Sequence, residues 1–470
     1  MTAPADASLY DEHGRQVSGP GEHHTGQVRI AYRLAGTHRD QLLHVHGIGW
    51  HHYDGRHWTP DHNGHARRAV LDTLTNALTE SANDKQLRAD VARCESDAGI
   101  NGVLGIAASL IEYAATVHDL DADPHLLNCA NGTLDLRDRT LHPHNPVDRL
   151  TKITAGAYSP DADMTVWEAF LASVLPDPAE RDYLRRVIGQ AVHGTVREHL
   201  FPVLIGTGAN GKGTTYGAVN HALGGYATVI NPALLMSHDP GRAGGPEMMT
   251  LLGARLVIGS ETEDGRKLDE ATMKRLTGGD ELTARHLYRE PVTWKPSHQL
   301  IYVTNALPSV KGDDPAVWRR IRVIPFDVVV PPEQRDLDLP DRLTLHADAI
   351  LTWAVAGYFD YEDNGGMREP ATVLRATSAY QSNSDAVARF VRDECIVGPG
   401  MVASIAELWE RWCTWRAEDG AAEVSKRVFG DSLDRRGYPV HRGAKGGRIR
   451  RGIALQSNDD SDDPGGWRGY

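Results

Sequence analysis

Short apolar runs alternate with stretches of helical spacing along most of the chain, and the alternation changes character from region to region. Residues 1–27 are small and polar, with Gly and Pro, and read as a flexible lead. From about residue 28 the pattern becomes strand-like. GWHHYDGRHWTPD predicts a hairpin, with Asp54-Gly55 as a two-residue turn at positive φ and aromatics on either side. Residues 64–118 place apolar positions at helical intervals, in ARRAVLDTLTNAL and NGVLGIAASLIEYAATV. CANGTLDLRDRTLHPHNP predicts short strands and turns. TVWEAFLASVLP and AERDYLRRVIGQAVHG predict two amphipathic helices, broken at Pro176 and Pro178. Residues 196–330 alternate short apolar runs with helical segments, the pattern of a parallel α/β sheet. Residues 340–395 are helical again. Residues 396–456 are basic, with a helix followed by a hairpin, and the tail SNDDSDDPGG is acidic and reads as disordered. The expected divisions are 1–27, 28–164, a helical linker 165–195, a core 196–330, a helical region 331–395, a C-terminal domain 396–456 and a tail 457–470.

Composition narrows the class. At 470 residues the chain has room for two to four domains. No apolar run reaches the roughly 18 residues of a membrane span, and the best candidate is cut by Glu112. The polar N-terminus lacks the order of a signal peptide, so a cytosolic location is expected, without a membrane partner. Cys94, Cys129, Cys395 and Cys413 are scattered, which disfavours zinc ribbons and disulfide frameworks. A net charge of -13 argues against a general nucleic-acid coat but leaves room for a local basic groove. His44, His46, His51, His52, His57, His62 and His65 crowd one region. The chain holds 23 histidines and no Cys joins this group, so structural or surface roles are expected rather than zinc.

The chemistry concentrates at 206–215, GTGANGKGTT. An apolar strand, Phe201–Ile205, leads in, and a helical pattern follows. In that setting the loop amides and the helix N-terminus face a phosphate, with Gly206, Gly208, Asn210 and Gly211 shaping the loop. Lys212 then reaches the β- and γ-phosphates of ATP. The hydroxyl residue expected after the lysine is Gly213. Thr214 is the nearest substitute for phosphate or Mg2+ contact, and Thr215 the second. Phosphoryl transfer also needs acids, a water-positioning group and a cation. ARLVIGSETED ends an apolar strand in Glu261 and Glu263, candidates for magnesium and for activating water, although a solvated charged loop reads equally well. HQLIYVTNALP ends a strand in Asn305, placed to orient water or sense the γ-phosphate, or simply to form a turn. VWRRIRVIPF carries Arg319 and Arg320, of which at most one is expected to act as an arginine finger.

SKRVFGDSLDRRGYPVHRGAKGGRIRRG holds nine Lys or Arg against two Asp. Ser425 is placed to cap a helix that ends near Gly437, and a glycine-rich basic loop between strands follows, a winged-helix pattern. Lys426, Arg427, Arg435 and Arg436 are assigned to the helix. Arg442, Lys445, Arg448, Arg450 and Arg451 are assigned to the wing. Both sets suit a DNA backbone, or a docking surface for a partner protein.

In order and spacing, GTGANGKGTT, RLVIGSETE, LDEATMKRLTGGDELTARHLYREP, YVTNALP and WRRIRVIPF make the chain resemble superfamily-three helicases. The resemblance is to the phage and plasmid primase–helicase family that includes the poxvirus primase–helicase, and it spans most of residues 30–456. It implies an AAA-like P-loop NTPase core, an α+β N-terminal region and a C-terminal winged helix. It further implies a homo-hexamer moving 3′ to 5′ on single-stranded or forked DNA, with ATP and Mg2+. Lys212 becomes the Walker lysine, Glu261 and Glu263 the Walker B acids, Asn305 the sensor. It places a DNA-gripping hairpin at ELTARHLYREPVTWKP, with Lys274, Arg285 and Arg289 on phosphates and Tyr288 stacking a base. The family's primase polymerase domain has no room here, so no primer synthesis is expected and a separate primase becomes a candidate partner. Two rival readings stay open: a small-molecule kinase, suggested by Gly-Lys-Gly-Thr, and an origin-binding or loading factor that binds ATP without turnover.

Overall fold

A computed structural model of the protein describes residues 21–236, 246–260, 267–285, 290–310, 314–421, 423–442 and 447–456. The expectations placed on Glu261, Glu263, Tyr288, Arg289 and Lys445 lie outside these residues.

The first region begins with a helix, α1 (Gly26–His38), where a strand was expected from about residue 28. VRIAY is β-branched and aromatic, which suggests a strand in isolation. Its buried residues Ile30, Ala31, Leu34 and Ala35 nevertheless follow the helical repeat and pack among the other helices. Strands β1 (Leu42–Val45), β2 (Gly49–Tyr53) and β3 (Trp58–Pro60) come next, then α2 (His65–Glu80), α3 (Lys85–Cys94) and α4 (Asp97–Ala107). The predicted β2–β3 hairpin is present. Asp54 N–H donates to the His57 carbonyl at 3.1 Å, so the central turn residues are Gly55 and Arg56, one step later than expected. The helix expected through residue 118 stops at Ala107. Tyr113 is fully buried there, its hydroxyl donating to the Leu34 carbonyl at 2.7 Å, and β4 (Ala114–Ala115) pairs parallel with β1.

β5 (Leu126–Cys129), β6 (Gly132–Asp135) and β7 (Thr140–His142) form a small antiparallel sheet, followed by α5 (Thr165–Val174) and α6 (Pro178–Gly189). The region of alternating pattern supplies β8 (Phe201–Ile205), α7 (Lys212–Leu223), β9 (Ala227–Ile230), β10 (Leu256–Ser260), α8 (Glu270–Gly278), β11 (Leu282–Ala284), β12 (Val292–Trp294), β13 (Gln299–Thr304), α9 (Pro315–Trp318) and β14 (Ile321–Pro325). Among the described residues a five-stranded sheet runs β14-β8-β13-β10-β9, and every adjacent pair is parallel. The fold is therefore mixed α/β around a parallel sheet.

Alternating residues feed two cores. Leu204, Leu256, Ile258, Ile301, Val303 and Ile324 face a layer containing α5, α6 and α7. Phe201, Val203, Val257, Leu300, Tyr302 and Val323 face α8 and the β11–β12 hairpin. Burial on both faces explains why these strands read as continuous apolar runs. The first layer also takes up residues of α11 (Ala347–Asn364), which follows α10 (Leu339–Leu345) and precedes α12 (Ala371–Ser384). The expected linker helices α5 and α6 are thus part of the central core.

The last region is α13 (Ala386–Glu394), β15 (Cys395–Ser404), α14 (Ile405–Asp419), α15 (Lys426–Arg435), β16 (Val440–Arg442) and β17 (Arg448–Leu455). Val387 and Phe390 of α13 share a core with Trp412, Phe429 and Ile453, so this unit starts earlier than residue 396. The four cysteines are free thiols, and no described helix is long and apolar enough to cross a membrane.

Arg255 joins the small antiparallel sheet to the core. It is buried, donates to the Val192 carbonyl at 2.5 Å and the Leu126 carbonyl at 2.6 Å, and lies 4.6 Å from the Tyr226 ring centroid. Arg255→Ala leaves both carbonyls unsatisfied and is expected to cost about 3 kcal/mol. Arg255→Lys should rescue little of this, because a point charge cannot fork to two carbonyls. Urea unfolding of the two variants checks both statements.

Candidate functional site

The site grows from β8. The chain leaves this strand at Ile205, turns through 206–211 and enters α7 at Lys212. Gly211 is the N-cap of α7, in the left-handed region at φ 78°, and a Cβ there would lie 2.6 Å from Val174 Cγ1. Gly206 is equally confined, since its Cβ would fall 2.5 Å from the Phe326 carbonyl oxygen. Gly208 and Gly213 have nothing within 4 Å of such a Cβ. The loop is therefore packed on its inner side and open on its outer side, where the first amides of α7 lie.

Lys212 is 5% exposed. Its Nζ donates to the Gly206 carbonyl at 2.8 Å, Asn210 Oδ1 at 3.0 Å and Asn305 Oδ1 at 3.1 Å. The last contact follows from the sheet: β8 and β13 pair in parallel with Ile205 opposite Thr304, so Asn305 leaves its strand beside Gly206. Asn210 is buried and its Nδ2 donates to the Phe326 carbonyl at 3.1 Å. It shapes the loop from within. The segment after β14 adds a second clamp, Val330 N–H to the Ala209 carbonyl at 2.8 Å. Sequence reasoning missed this clamp, because FDVVVPP carries no signal beyond an extended apolar run. Thr215 is buried and returns its hydroxyl to the Gly211 carbonyl at 2.9 Å, which occupies it inside the helix. Thr214 is half-buried at the loop and Gly213 exposed.

Residues 31–176 match the family model described as D5 N terminal like, and residues 204–320 match a family of unknown function, DUF5906. "Putative helicase L207/L206" of Acanthamoeba polyphaga mimivirus is 31% identical over 231 residues, 48% of this chain and 24% of that protein. "Putative helicase 022R" of Frog virus 3 is 28% identical over 284 residues, 56% of this chain and 29% of that protein. "Putative primase C962R" of African swine fever virus (isolate Warthog/Namibia/Wart80/1980) is 22% identical over 347 residues, 68% of this chain and 36% of that protein. The chain belongs to the D5-like primase–helicase family. It spans only 24% to 36% of the length of these three relatives. Among solved structures, the apo NrS-1 C-terminal region aligns over 66% of this chain and 86% of that one, at 14% identity and a TM-score of 0.40.

The two arginines singled out in this D5-like chain part company. Arg320 is buried, with its Nη1 donating to the Ala316 carbonyl at 2.7 Å and its Nε to Thr277 Oγ1 at 3.2 Å. Burial and the neighbouring Arg319 lower its pKa from the usual arginine value. A side chain so enclosed cannot reach another subunit, which corrects the expectation for Arg320. Arg319 is exposed. Lys274 pairs with Asp314 at 2.7 Å, and Asp314 also caps α9. The Lys274 ammonium holds the Asp314 carboxyl below its usual pKa. Lys274 thus serves a structural pair while its side chain stays about one third exposed. Arg285 is exposed directly after β11, and the antiparallel register Leu282 to Trp294 establishes the hairpin around it.

Further corrections fall in the C-terminal unit. Arg450, assigned to the wing, does lie on the β16–β17 hairpin but turns inward, away from any DNA backbone. It is 2% exposed and donates to Asp434 at 2.6 Å and to the Gly430 carbonyl at 2.8 Å. Arg436 binds Asp385 and Ser432 and so ties α15 to α13. Lys426, Arg427, Arg435, Arg442, Arg448 and Arg451 are exposed. Charge counting could not separate the two groups, because pairing depends on which acids the fold brings near.

The contrast between the adjacent arginines is testable. Arg320→Ala should lose about 2–3 kcal/mol of stability by opening a buried network, whereas Arg319→Ala should stay within about 0.5 kcal/mol of the parent. Denaturant midpoints with unchanged slopes check the pair.

Proposed function

We propose that this protein is an ATP-driven DNA translocase of replicative helicase type, working as a homo-hexamer with a P-loop NTPase core. The observation that carries the reading is Lys212: at the N-terminus of α7, its buried ammonium is held by the glycine loop and lies within 3.1 Å of an amide from the neighbouring strand end. That arrangement suits a triphosphate, with Lys212 on the β- and γ-oxygens and Asn305 orienting water or sensing the terminal phosphate. Loop amides and Lys212 would hold the phosphates, while Asn210 keeps the loop in shape. The open space at Gly213 supports room for phosphate oxygens there. Thr214 and Glu261 would hold Mg2+, which supplies neutralisation of developing phosphate charge. Glu261 or Glu263 would activate water, and Arg319 of a neighbouring subunit would stabilise the transition state.

DNA contact is supported by the C-terminal unit. Its order of helix, strand, two helices and hairpin fits a winged helix. Arg442 and Arg448 are directly opposed across β16 and β17. Like charges placed so are destabilising unless an anion lies over them, which suits a phosphate backbone. Arg427, whose side chain is 91% exposed, adds charge on α15, and Arg285 beside the β11–β12 hairpin adds another contact. Single-stranded or forked DNA, and a separate primase, are the partners that fit this reading.

ATP hydrolysis by the full chain, with and without single-stranded DNA, is the decisive assay. Stimulation by DNA is expected, with turnover abolished by Lys212→Ala and lowered about a thousandfold by Arg319→Ala without loss of assembly. ATP binding without hydrolysis would favour a loading factor, and hydrolysis indifferent to DNA would favour a small-molecule kinase. Separately, Arg442→Ala with Arg448→Ala should weaken single-stranded DNA binding regardless of sequence. The double change should flatten the logarithmic salt slope by about 0.7 per lost phosphate contact.

A further inference from the structure

The histidine-rich segment before α2 holds a grouping that the nucleotide site does not use. His52 stands on β2, Asp61 directly follows β3, and His65 is the first residue of α2. Their ligand atoms all lie within 4.8 Å of one another, and among the described residues this is the one such grouping of three. The two imidazoles are stacked, with centroids 3.7 Å apart and planes 10° from parallel. Neither ring forms an ion pair with Asp61. The carboxylate instead accepts from His65 N–H at 2.7 Å and Ala66 N–H at 2.8 Å, through one oxygen each. Each oxygen keeps a further lone pair. Thr59 Oγ1 lies 3.2 Å from both ring nitrogens of His52 and limits its rotation.

We propose that His52, Asp61 and His65 form a binding site for one divalent transition-metal ion of the zinc type, with a fourth position open to water. Two imidazole nitrogens and one carboxylate oxygen are a donor set that such ions accept in tetrahedral geometry. Ligand atoms around a tetrahedral ion lie roughly 3.3–3.5 Å apart, given metal–ligand bonds of about 2.0–2.2 Å, and each imidazole binds in its own ring plane, so the two stacked rings must swing out of their parallel arrangement to converge on one ion. The backbone amides fix the carboxylate donor before any ion arrives. Half-burial of all three leaves a route for the ion and for water. Arg68 stands nearby, but its guanidinium is tied to the Asn63 carbonyl at 2.5 Å. A bound ion would clamp the β2–β3 hairpin to the start of α2.

Metal binding to the full chain, stripped with chelator and freed of any affinity tag, tests the proposal. Calorimetric titration with Zn2+ should find one site that His52→Ala and His65→Ala each weaken about a hundredfold or more, with far-UV circular dichroism unchanged. Co2+ should give tetrahedral visible bands that both variants lose. His118→Ala, outside the grouping, should leave the site intact. Equal zinc affinity and stoichiometry in the parent and the two variants would overturn the proposal. If either variant fails to fold, the parent alone decides. Zn2+ should protect His52 and His65 from diethylpyrocarbonate, mapped by mass spectrometry, and equal modification with and without zinc would overturn the proposal.

Discussion

The parallel pairing of β8 with β13 is the constraint on which the candidate site depends. It places two strand ends side by side, so that Gly206 begins its turn next to Asn305. A lysine opening the following helix then meets an amide 93 residues further along the chain. Without this register Lys212 would lose its contact with Asn305. With it, one ammonium links the loop, its shaping residue Asn210 and the neighbouring strand. The two-sided core maintains the register. Alternate residues of β8, β10, β13 and β14 enter opposite layers, and a slip of one residue would exchange every one of them.

The same architecture divides the cations into structural and available groups. Arg255, Arg320, Arg436 and Arg450 are each taken up by carbonyls or carboxylates. A buried guanidinium needs several acceptors at once, and loop carbonyls beside strand ends provide them. The exposed set gathers on α15 and the β16–β17 hairpin, where Arg442 and Arg448 face each other with no acid between them in the pairing register. This division, rather than net charge, is what makes a local basic surface compatible with an overall charge of -13.

Several features were legible in the chain before any tertiary structure. The parallel sheet followed from apolar runs that are buried on both faces, and the glycine loop from its position between a strand and a helix. The hairpin at GWHHYDGRHWTPD and the order of segments 201–325 were equally readable, because local turn chemistry and periodicity determine them. So was membership of a primase–helicase family, since five motifs stand in register.

Tertiary structure alone decided the rest. It made 26–38 a helix, because Ile30 and Leu34 find partners on α3 and α4 that no local pattern reveals. It chose Arg319 over Arg320 as the exposed member of the pair, since Thr277 and the Ala316 carbonyl enclose one guanidinium and not the other. It clamped the loop through Phe326 and Val330, distant residues whose contribution is a backbone group and so leaves no mark in side-chain identity. It also brought His52 against His65 across a hairpin and a turn. Sequence determines which groups exist and which local conformations they favour. Proximity between distant groups is set by packing, and the chemistry of this site depends on proximity.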